Sequence, residues 1–178
     1  MKLIILDRDG VINEDSDQYI KSPAEWRAIP GSLEAIARLN QWGYRVVVVT
    51  NQSGIGQGLF DMDTLNAIHD KMIKAVAQVG GRIDAVFFCP HVNDDKCECR
   101  KPQAGMLKEV ARRYNADLAG VPAIGDSLRD LQAAQSVGAQ PILVLTGKGK
   151  KTRDEPDLPD GTQIYADLAA AVTKLVSA

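Results

Sequence analysis

KLIILDRDGV, residues 2–11, places three charged residues directly after a short apolar run. The apolar part, Lys2–Leu6, is typical of a buried strand. Residues two apart in an extended chain point the same way, so the carboxylates of Asp7 and Asp9 are expected to face one pocket. Such a pair suits phosphoryl transfer, in which one carboxylate attacks phosphorus and the other passes a proton. It also fits a polar strand end that caps the next turn.

The rest of the chain alternates apolar runs with helical patterns. Further strands are predicted at 44–49, 83–88, 121–125 and 141–145, and helices at 32–42, 65–79, 107–114, 128–137 and 168–175. Apolar strands that alternate with helices predict an α/β fold, a three-layer Rossmann-like parallel sheet with helices on both faces. Ligands of such sheets bind at the carboxyl ends of the strands, so the residues that follow each strand are the candidate site.

Length and composition limit the class of protein. The 178 residues carry a net charge of −2 and are 45% hydrophobic, which predicts one globular domain over residues 1–178. This balance argues against a nucleic-acid-binding protein, which would be basic. No apolar run approaches a membrane span or the core of a signal peptide. We therefore expect a cytoplasmic protein with no membrane or nucleic-acid partner, and we expect a monomer.

Polar residues follow two more of the predicted strands. Thr50, Asn51, Gln52 and Ser53 come after the second strand, where a hydroxyl and backbone N–H groups can hold phosphoryl oxygens. Thr and Asn are also common in turns. Asp126 comes after the fourth strand, where a carboxylate can complete a magnesium site or cap the next helix.

A metal-ligand pattern follows the third strand. All three cysteines, Cys89, Cys97 and Cys99, lie in one short window with His91, one of only two histidines. Four such ligands in one loop match a closed tetrahedral zinc site, which has no open position for chemistry. We therefore predict a structural zinc. Arg100 and Lys101 follow the last cysteine, so the zinc-braced loop would position two cations.

Two other features of the sequence are not assigned to the predicted site. The segment 147–161, rich in Gly, Lys, Asp and Pro, is expected to be an exposed loop. The second histidine, His69, flanks the apolar stripe of a predicted helix, and a surface role is expected for it.

Taken in order, these strand ends resemble the four motifs of the haloacid-dehalogenase-like (HAD-like) phosphatases. The matching stretches are DRDGV (7–11), TN (50–51), Lys101 and GDSLRD (125–130). The stretch TNQSG (50–54) and the cysteine-containing loop that runs into CRKP (99–102) narrow the resemblance to the heptose 1,7-bisphosphate phosphatases and the related histidinol-phosphate phosphatases.

The resemblance implies a sheet order of 3-2-1-4-5 and no separate cap domain. It implies a magnesium-dependent phosphatase that removes the 7-phosphate of a heptose bisphosphate, a small phosphorylated sugar, in the synthesis of nucleotide-activated heptose for lipopolysaccharide. The roles it implies are Asp7 as nucleophile, Asp9 as general acid and base, Thr50 and Lys101 on the phosphoryl group, Asn51, Gln52, Ser53 and Arg100 on substrate, and Asp7, the Asp9 carbonyl and Asp126 on magnesium.

Three other interpretations remain open from the sequence. A histidinol-phosphate phosphatase would use the same chemistry on another substrate. A phospho-accepting signalling domain also has a strand-end aspartate, but it lacks a second acid placed like Asp9. A zinc-braced interaction module with an inactive site is disfavoured because Asp7, Asp9, Thr50, Lys101 and Asp126 are all present.

Overall fold

The computed structural model describes residues 1–177 and contains one six-stranded sheet in that range. The strands are β1 (Lys2–Leu6), β2 (Tyr44–Asn51), β3 (Ala85–Cys89), β4 (Pro122–Gly125), β5 (Gln140–Val144) and β6 (Gln163–Tyr165). All neighbouring strands pair in parallel, in the order β3-β2-β1-β4-β5-β6. The first strand is therefore central, and the residues that follow it lie at the middle of the carboxyl edge.

Helices cover both faces of this sheet. They are α1 (Ser32–Gln41), α2 (Ser53–Gly56), α3 (Met62–Gln78), α4 (Gly105–Tyr114), α5 (Leu128–Ser136), α6 (Gly149–Arg153) and α7 (Leu168–Ser177). Short 3-10 turns occupy Pro23–Glu25 and Asn93–Asp95. No helix within residues 1–177 combines the length and apolar character needed to cross a membrane.

Alternation along β1 divides the core into two layers. Ile4 and Leu6 pack with α1, α3 and α7 on one face. Leu3 and Ile5 pack with α4 and α5 on the other face. Because successive side chains of a strand point to opposite faces, the central strand needs apolar residues at every position. This explains why the apolar run in 3–6 is continuous rather than alternating.

The predicted α/β class and the order 3-2-1-4-5 are confirmed, with β6 added at the edge beside β5. The sequence analysis missed β6 because it has three residues, two of them exposed, and so shows no apolar run. The prediction of an exposed loop at 147–161 is wrong in part. The short helix α6 lies there, and its Gly149 and Thr152 are buried.

Candidate active site

A polar cavity opens at the carboxyl ends of the central strands. Its walls come from the ends of β1, β2 and β4 and from the loops that follow β1, β3 and β5. The predicted site residues that line it are Asp7, Asp9, Asn51, Ser53, Arg100, Lys101 and Asp126. Thr50 and Gln52 are buried and do not line it. The spacing of Asp7 and Asp9 thus brings both carboxylates to one cavity, as the extended backbone predicts.

Lys101 joins two of the carboxylates at the base of the cavity. Its Nζ lies 3.1 Å from Asp7 Oδ1 and 2.6 Å from Asp130 Oδ1, and it donates to the Val49 carbonyl at 2.8 Å. Burial alone would lower the Lys101 pKa, but the charges of Asp130 and Asp7 raise it, so the ammonium stays charged. Lys101 therefore neutralises part of the negative charge that surrounds Asp7.

Asn51 fixes the backbone that carries Lys101. Its side-chain oxygen accepts from the Lys101 backbone N–H at 2.9 Å, and its amide donates to the Lys101 carbonyl at 3.2 Å. A residue at the end of β2 thereby holds the loop after β3 in a fixed position. The geometry gives Asn51 a positioning role in addition to its place in the cavity wall.

Asp7, Asp126 and Asp130, the carboxylate group, each offer an oxygen within 4.8 Å of the others. Burial raises the Asp7 pKa well above its ordinary value, and the Asp130, Asp126 and Asp9 charges add to this while Lys101 opposes it. Burial and Asp130 raise the Asp126 pKa to about 7. Burial and the mutual repulsion of the carboxylates thus both disfavour their charged forms, and a divalent cation would oppose both effects.

Asp126 is held tightly by the backbone around it. Its Oδ2 accepts from the Lys148 N–H at 2.9 Å, and a Cβ at either Gly10 or Gly147 would overlap its carboxylate. Gly10 and Gly147 also adopt positive φ angles of 85° and 55°, so glycine is favoured at both positions on conformational grounds too. The loops after β1 and β5 therefore both pack against the Asp126 carboxylate.

Asp130 is the member of the carboxylate group to which the sequence analysis gave no role. Besides the Lys101 ammonium, it accepts from the Ser127 hydroxyl at 3.0 Å and from the backbone N–H groups of Asp126 and Ser127. The Ser127-x-x-Asp130 spacing of a capping box is the signal that could have found it. Both carboxylate oxygens of Asp130 are engaged in these contacts. Asp7 and Asp126 are therefore the better oxygen ligands for magnesium.

Asp9 accepts four hydrogen bonds, distributed unequally over its two oxygens. Oδ1 accepts from Arg8 Nε and Nη2 at 3.0 and 2.7 Å and from Asn13 Nδ2 at 3.0 Å. Oδ2 accepts only from Gln52 Nε2, at 3.1 Å. Burial would raise the Asp9 pKa, but Arg8 and these hydrogen bonds lower it. Oδ2 is therefore the oxygen with room for a proton, and Gln52 supports Asp9 from beneath the cavity.

Cys89, His91, Cys97 and Cys99, the cysteine cluster, bring their ligand atoms together beside the cavity. The Cys89–Cys97 and Cys97–Cys99 sulfur pairs are each 3.6 Å apart, and His91 Nδ1 lies 3.4 and 3.3 Å from the sulfurs of Cys89 and Cys99. Sulfurs about 2.3 Å from a zinc ion at tetrahedral angles would lie about 3.8 Å apart. The cluster thus fits one zinc ion.

The cysteine cluster connects directly to the cavity wall. The Arg100 backbone N–H lies 3.4 Å from Cys97 Sγ, the contact that commonly supports a metal-bound thiolate. Burial would raise the Cys97 pKa, but this N–H and the neighbouring thiols lower it to about 6. Cys89 ends β3, and its carbonyl accepts from the Gln52 N–H at 2.7 Å. The cluster therefore braces the segment that carries Arg100 and Lys101.

Comparisons with known proteins agree with this geometry. A family model described as HAD-hydrolase-like matches residues 98–171, and one described as polynucleotide kinase 3 phosphatase matches residues 2–127. The chain is 62% identical to a D-glycero-beta-D-manno-heptose-1,7-bisphosphate 7-phosphatase of Bordetella bronchiseptica, over 99% of this chain and 98% of that protein. The chain belongs to this family of HAD-like phosphatases.

Other members of the family extend the comparison. A protein of the same name from Pseudomonas aeruginosa is 52% identical over 98% of this chain and 97% of its own length. The crystal structure of the D,D-heptose 1,7-bisphosphate phosphatase from B. bronchiseptica, complexed with magnesium and phosphate, superposes with a TM-score of 0.98 and covers 99% of both chains. The predicted HAD-like family and fold are confirmed.

Proposed function

We propose that this enzyme hydrolyses the 7-phosphate of D-glycero-D-manno-heptose 1,7-bisphosphate and leaves the 1-phosphate in place. The observation that carries the proposal is the 62% identity to the B. bronchiseptica 7-phosphatase over nearly the whole of both chains. The product would then be available for nucleotide activation, the step that leads toward lipopolysaccharide. Asp7, Asp9, Lys101 and Asp126 share the cavity that this chemistry needs.

Asp7 is the nucleophile in the proposed first step. A carboxylate oxygen of Asp7 forms a bond to phosphorus as the bond from phosphorus to the sugar oxygen breaks. The negative charge of the bound phosphoryl group opposes the lowering of the Asp9 pKa by Arg8, so that Asp9 takes up a proton at Oδ2 when substrate enters. Asp9 gives this proton to the sugar oxygen, which leaves as an alcohol. Lys101 neutralises charge beside Asp7, and Asn51 holds Lys101 in place.

The second step returns the enzyme to its starting state. Asp9, now a carboxylate, takes a proton from a water whose oxygen bonds to the phosphorus of phospho-Asp7. The bond from phosphorus to the Asp7 oxygen breaks, and inorganic phosphate leaves. Magnesium, held by Asp7, the Asp9 carbonyl and Asp126, would offset the combined charge of the carboxylates and the phosphoryl group. A zinc ion held by the four ligands of the cysteine cluster would have no open position for substrate and would serve structure only.

Substrate contacts are assigned by their place around the cavity. Arg100 lines the wall beside Lys101 and, in residues 1–177, forms no ion pair, so its guanidinium is free to make forked contacts with sugar hydroxyls or with the remaining phosphate. Ser53 and Asn51 also line the cavity. The Thr50 hydroxyl accepts from Gln52 Nε2 at 3.0 Å. Because Thr50 does not line the cavity, it would support the phosphoryl group only from beneath the cavity wall.

The working form of the enzyme is also part of the proposal. We place it in the cytoplasm as a monomer, a single HAD-like domain over residues 1–178 with no nucleic-acid or membrane partner. A net charge of −2 supports the absence of a nucleic-acid partner. Sedimentation at working concentration tests the monomer, since a dimer would double the measured mass.

The substrate assignment is tested by comparing kcat/KM for the heptose bisphosphate with kcat/KM for histidinol phosphate. We expect kcat/KM to be higher for the heptose bisphosphate. We expect Arg100→Ala to reduce the ratio of the two kcat/KM values. Arg112→Ala, an exposed arginine paired with Glu109 on α4, is the matched control and should leave the ratio unchanged. A higher kcat/KM for histidinol phosphate would make the histidinol-phosphate alternative correct.

A further inference from the structure

Arg8 is fully buried beneath the cavity, on the face of the sheet opposite to Asp7. Arg8 lies two residues beyond Leu6 and four beyond Ile4, so its side chain points to the same face of the sheet as theirs, toward α3. Two of its nitrogens donate to Asp9 Oδ1. The third, Nη1, lies 3.1 Å from Nε2 of His69 on α3. One guanidinium therefore connects a helix on the covered face of the sheet to the acid that carries the proton.

The hydrogen-bond direction between Arg8 and His69 determines the protonation state and tautomer of His69. A guanidinium has only donors, so His69 Nε2 must accept, and the imidazole must be neutral with its hydrogen on Nδ1. His69 is only 8% exposed, which corrects the expected surface role. Burial and the Arg8 charge lower the His69 pKa to about 4, while Asp9 opposes them, and this agrees with a neutral ring near pH 7.

His69 flanks the helix stripe formed by Leu65, Ile68, Met72 and Val76, where an apolar residue would pack at no polar cost. A buried polar ring at this place needs a partner, and Arg8 supplies it. A carboxylate here would also accept from Arg8, but it would draw the guanidinium charge away from Asp9. A neutral acceptor holds Arg8 in position and leaves its charge for Asp9.

We propose that His69 is a positioning residue, whose neutral imidazole holds Arg8 and, through Arg8, orients Asp9 for proton transfer. Without the His69 acceptor, Arg8 Nη1 would be left buried and unpaired, and the guanidinium would move to find another partner. Asp9 Oδ1 would then lose two of its three donors, and the carboxyl group would lose its fixed orientation. This inference rests on the proposed function, which assigns the proton to Asp9.

The test compares His69→Gln with His69→Asn. The longer amide carries an oxygen that can reach the place of Nε2, whereas the shorter one cannot. We expect His69→Asn to lower kcat about tenfold with little change in KM, a fraction of the roughly 10²–10⁴-fold that proton transfer contributes. His69→Gln should recover most of this loss. If His69→Asn does not fold, His69→Leu takes its place, and melting curves identify a variant that is only unstable.

A second background separates positioning from a general effect on the fold. In Asp9→Asn protein, the rate of phosphoryl transfer in a single turnover should be almost unchanged by His69→Asn, because the group that His69 orients is already disabled. An equal fall in both backgrounds, no rescue by Gln, or a wild-type rate for His69→Asn would each overturn the proposal.

The assays use the heptose bisphosphate and, in parallel, p-nitrophenyl phosphate, whose turnover still requires Asp9 to activate water. If wild-type protein hydrolyses only p-nitrophenyl phosphate, the sugar assignment fails and the His69 comparison is still decided on that substrate. If wild-type protein hydrolyses both and the His69 variants match it, the positioning role fails alone.

Discussion

The cysteine cluster and the carboxylate group lie at the same edge of the sheet, yet they offer a metal ion different surroundings. The cluster supplies four ligands at tetrahedral spacing within one loop. The carboxylate group supplies three oxygens from the residues that follow β1 and β4 and from the first turn of α5, and it faces a cavity lined by Asp9, Arg100 and Lys101. A closed ligand set stabilises structure, whereas an open one leaves room for a substrate oxygen.

The two regions are linked by chain rather than by shared ligands. Arg100 and Lys101 follow Cys99 directly, and the Arg100 N–H points to a cluster sulfur while the Lys101 ammonium reaches Asp7. Changes in the carboxylate group should therefore stop chemistry without loss of zinc. Changes in the cluster should loosen the loop and weaken chemistry only indirectly.

Asp7→Asn is expected to have the largest effect. An amide cannot attack phosphorus, so kcat should fall on the order of 10⁶-fold, as when other covalent nucleophiles are removed. Zinc content, measured by elemental analysis, should stay at one per chain. Asp70→Asn, an exposed acid on α3 paired with Lys74, is the control. Wild-type turnover by Asp7→Asn would show that no phosphoaspartate forms.

Asp9→Asn should have the next largest effect. Loss of the general acid and base should lower kcat about 10²–10⁴-fold. Because the second step also needs Asp9, phosphoaspartate should accumulate on Asp7 and be detectable by mass spectrometry after an acid quench. A kcat within a factor of two of wild type would assign the proton to another group, since general acid–base catalysis is worth about 10²-fold or more.

Cys97→Ser should have the smallest effect on kcat and the clearest effect on zinc. Zinc should drop well below one per chain, and the melting temperature should fall because zinc binding contributes to folding. Phosphate release should fall only in part, through the loosened Arg100 and Lys101. Asn93→Ala, an exposed change in the same loop with no ligand lost, should keep both zinc and stability. Full zinc content in Cys97→Ser would remove Cys97 from the site.

The sequence identified the parts of the site that depend on local order. Asp7 and Asp9 follow a strand, and the cysteines lie within eleven residues, so spacing alone brought each set together. The parallel sheet then brings the separate strand ends to one edge. This is why the fold class and the cysteine cluster could be predicted from the residues themselves, whereas the strand order was predicted from the family resemblance.

The missed features depend on contacts between distant segments. Lys101 pairs with Asp130 and Arg8 with His69, and neither contact leaves a pattern in its own segment. Asp130 was given no role from the sequence, and His69 was expected to have a surface role because it flanks an apolar stripe. The family resemblance implies a substrate contact for Gln52, and the structure adds a hydrogen bond from its side chain to Asp9 that spacing does not indicate. Side-chain direction at a strand end is set by packing, which sequence spacing does not contain.

Removal of magnesium from protein that keeps its zinc tests the contrast between the open and closed sites most directly. Protein that retains one zinc per chain is freed of magnesium by exhaustive dialysis against magnesium-free buffer, and phosphate release from the heptose bisphosphate is then followed as magnesium is returned. We predict negligible activity before the addition and full recovery after it, with zinc content constant and no recovery when zinc is added instead. Full activity in the zinc-replete, magnesium-free protein would contradict the account.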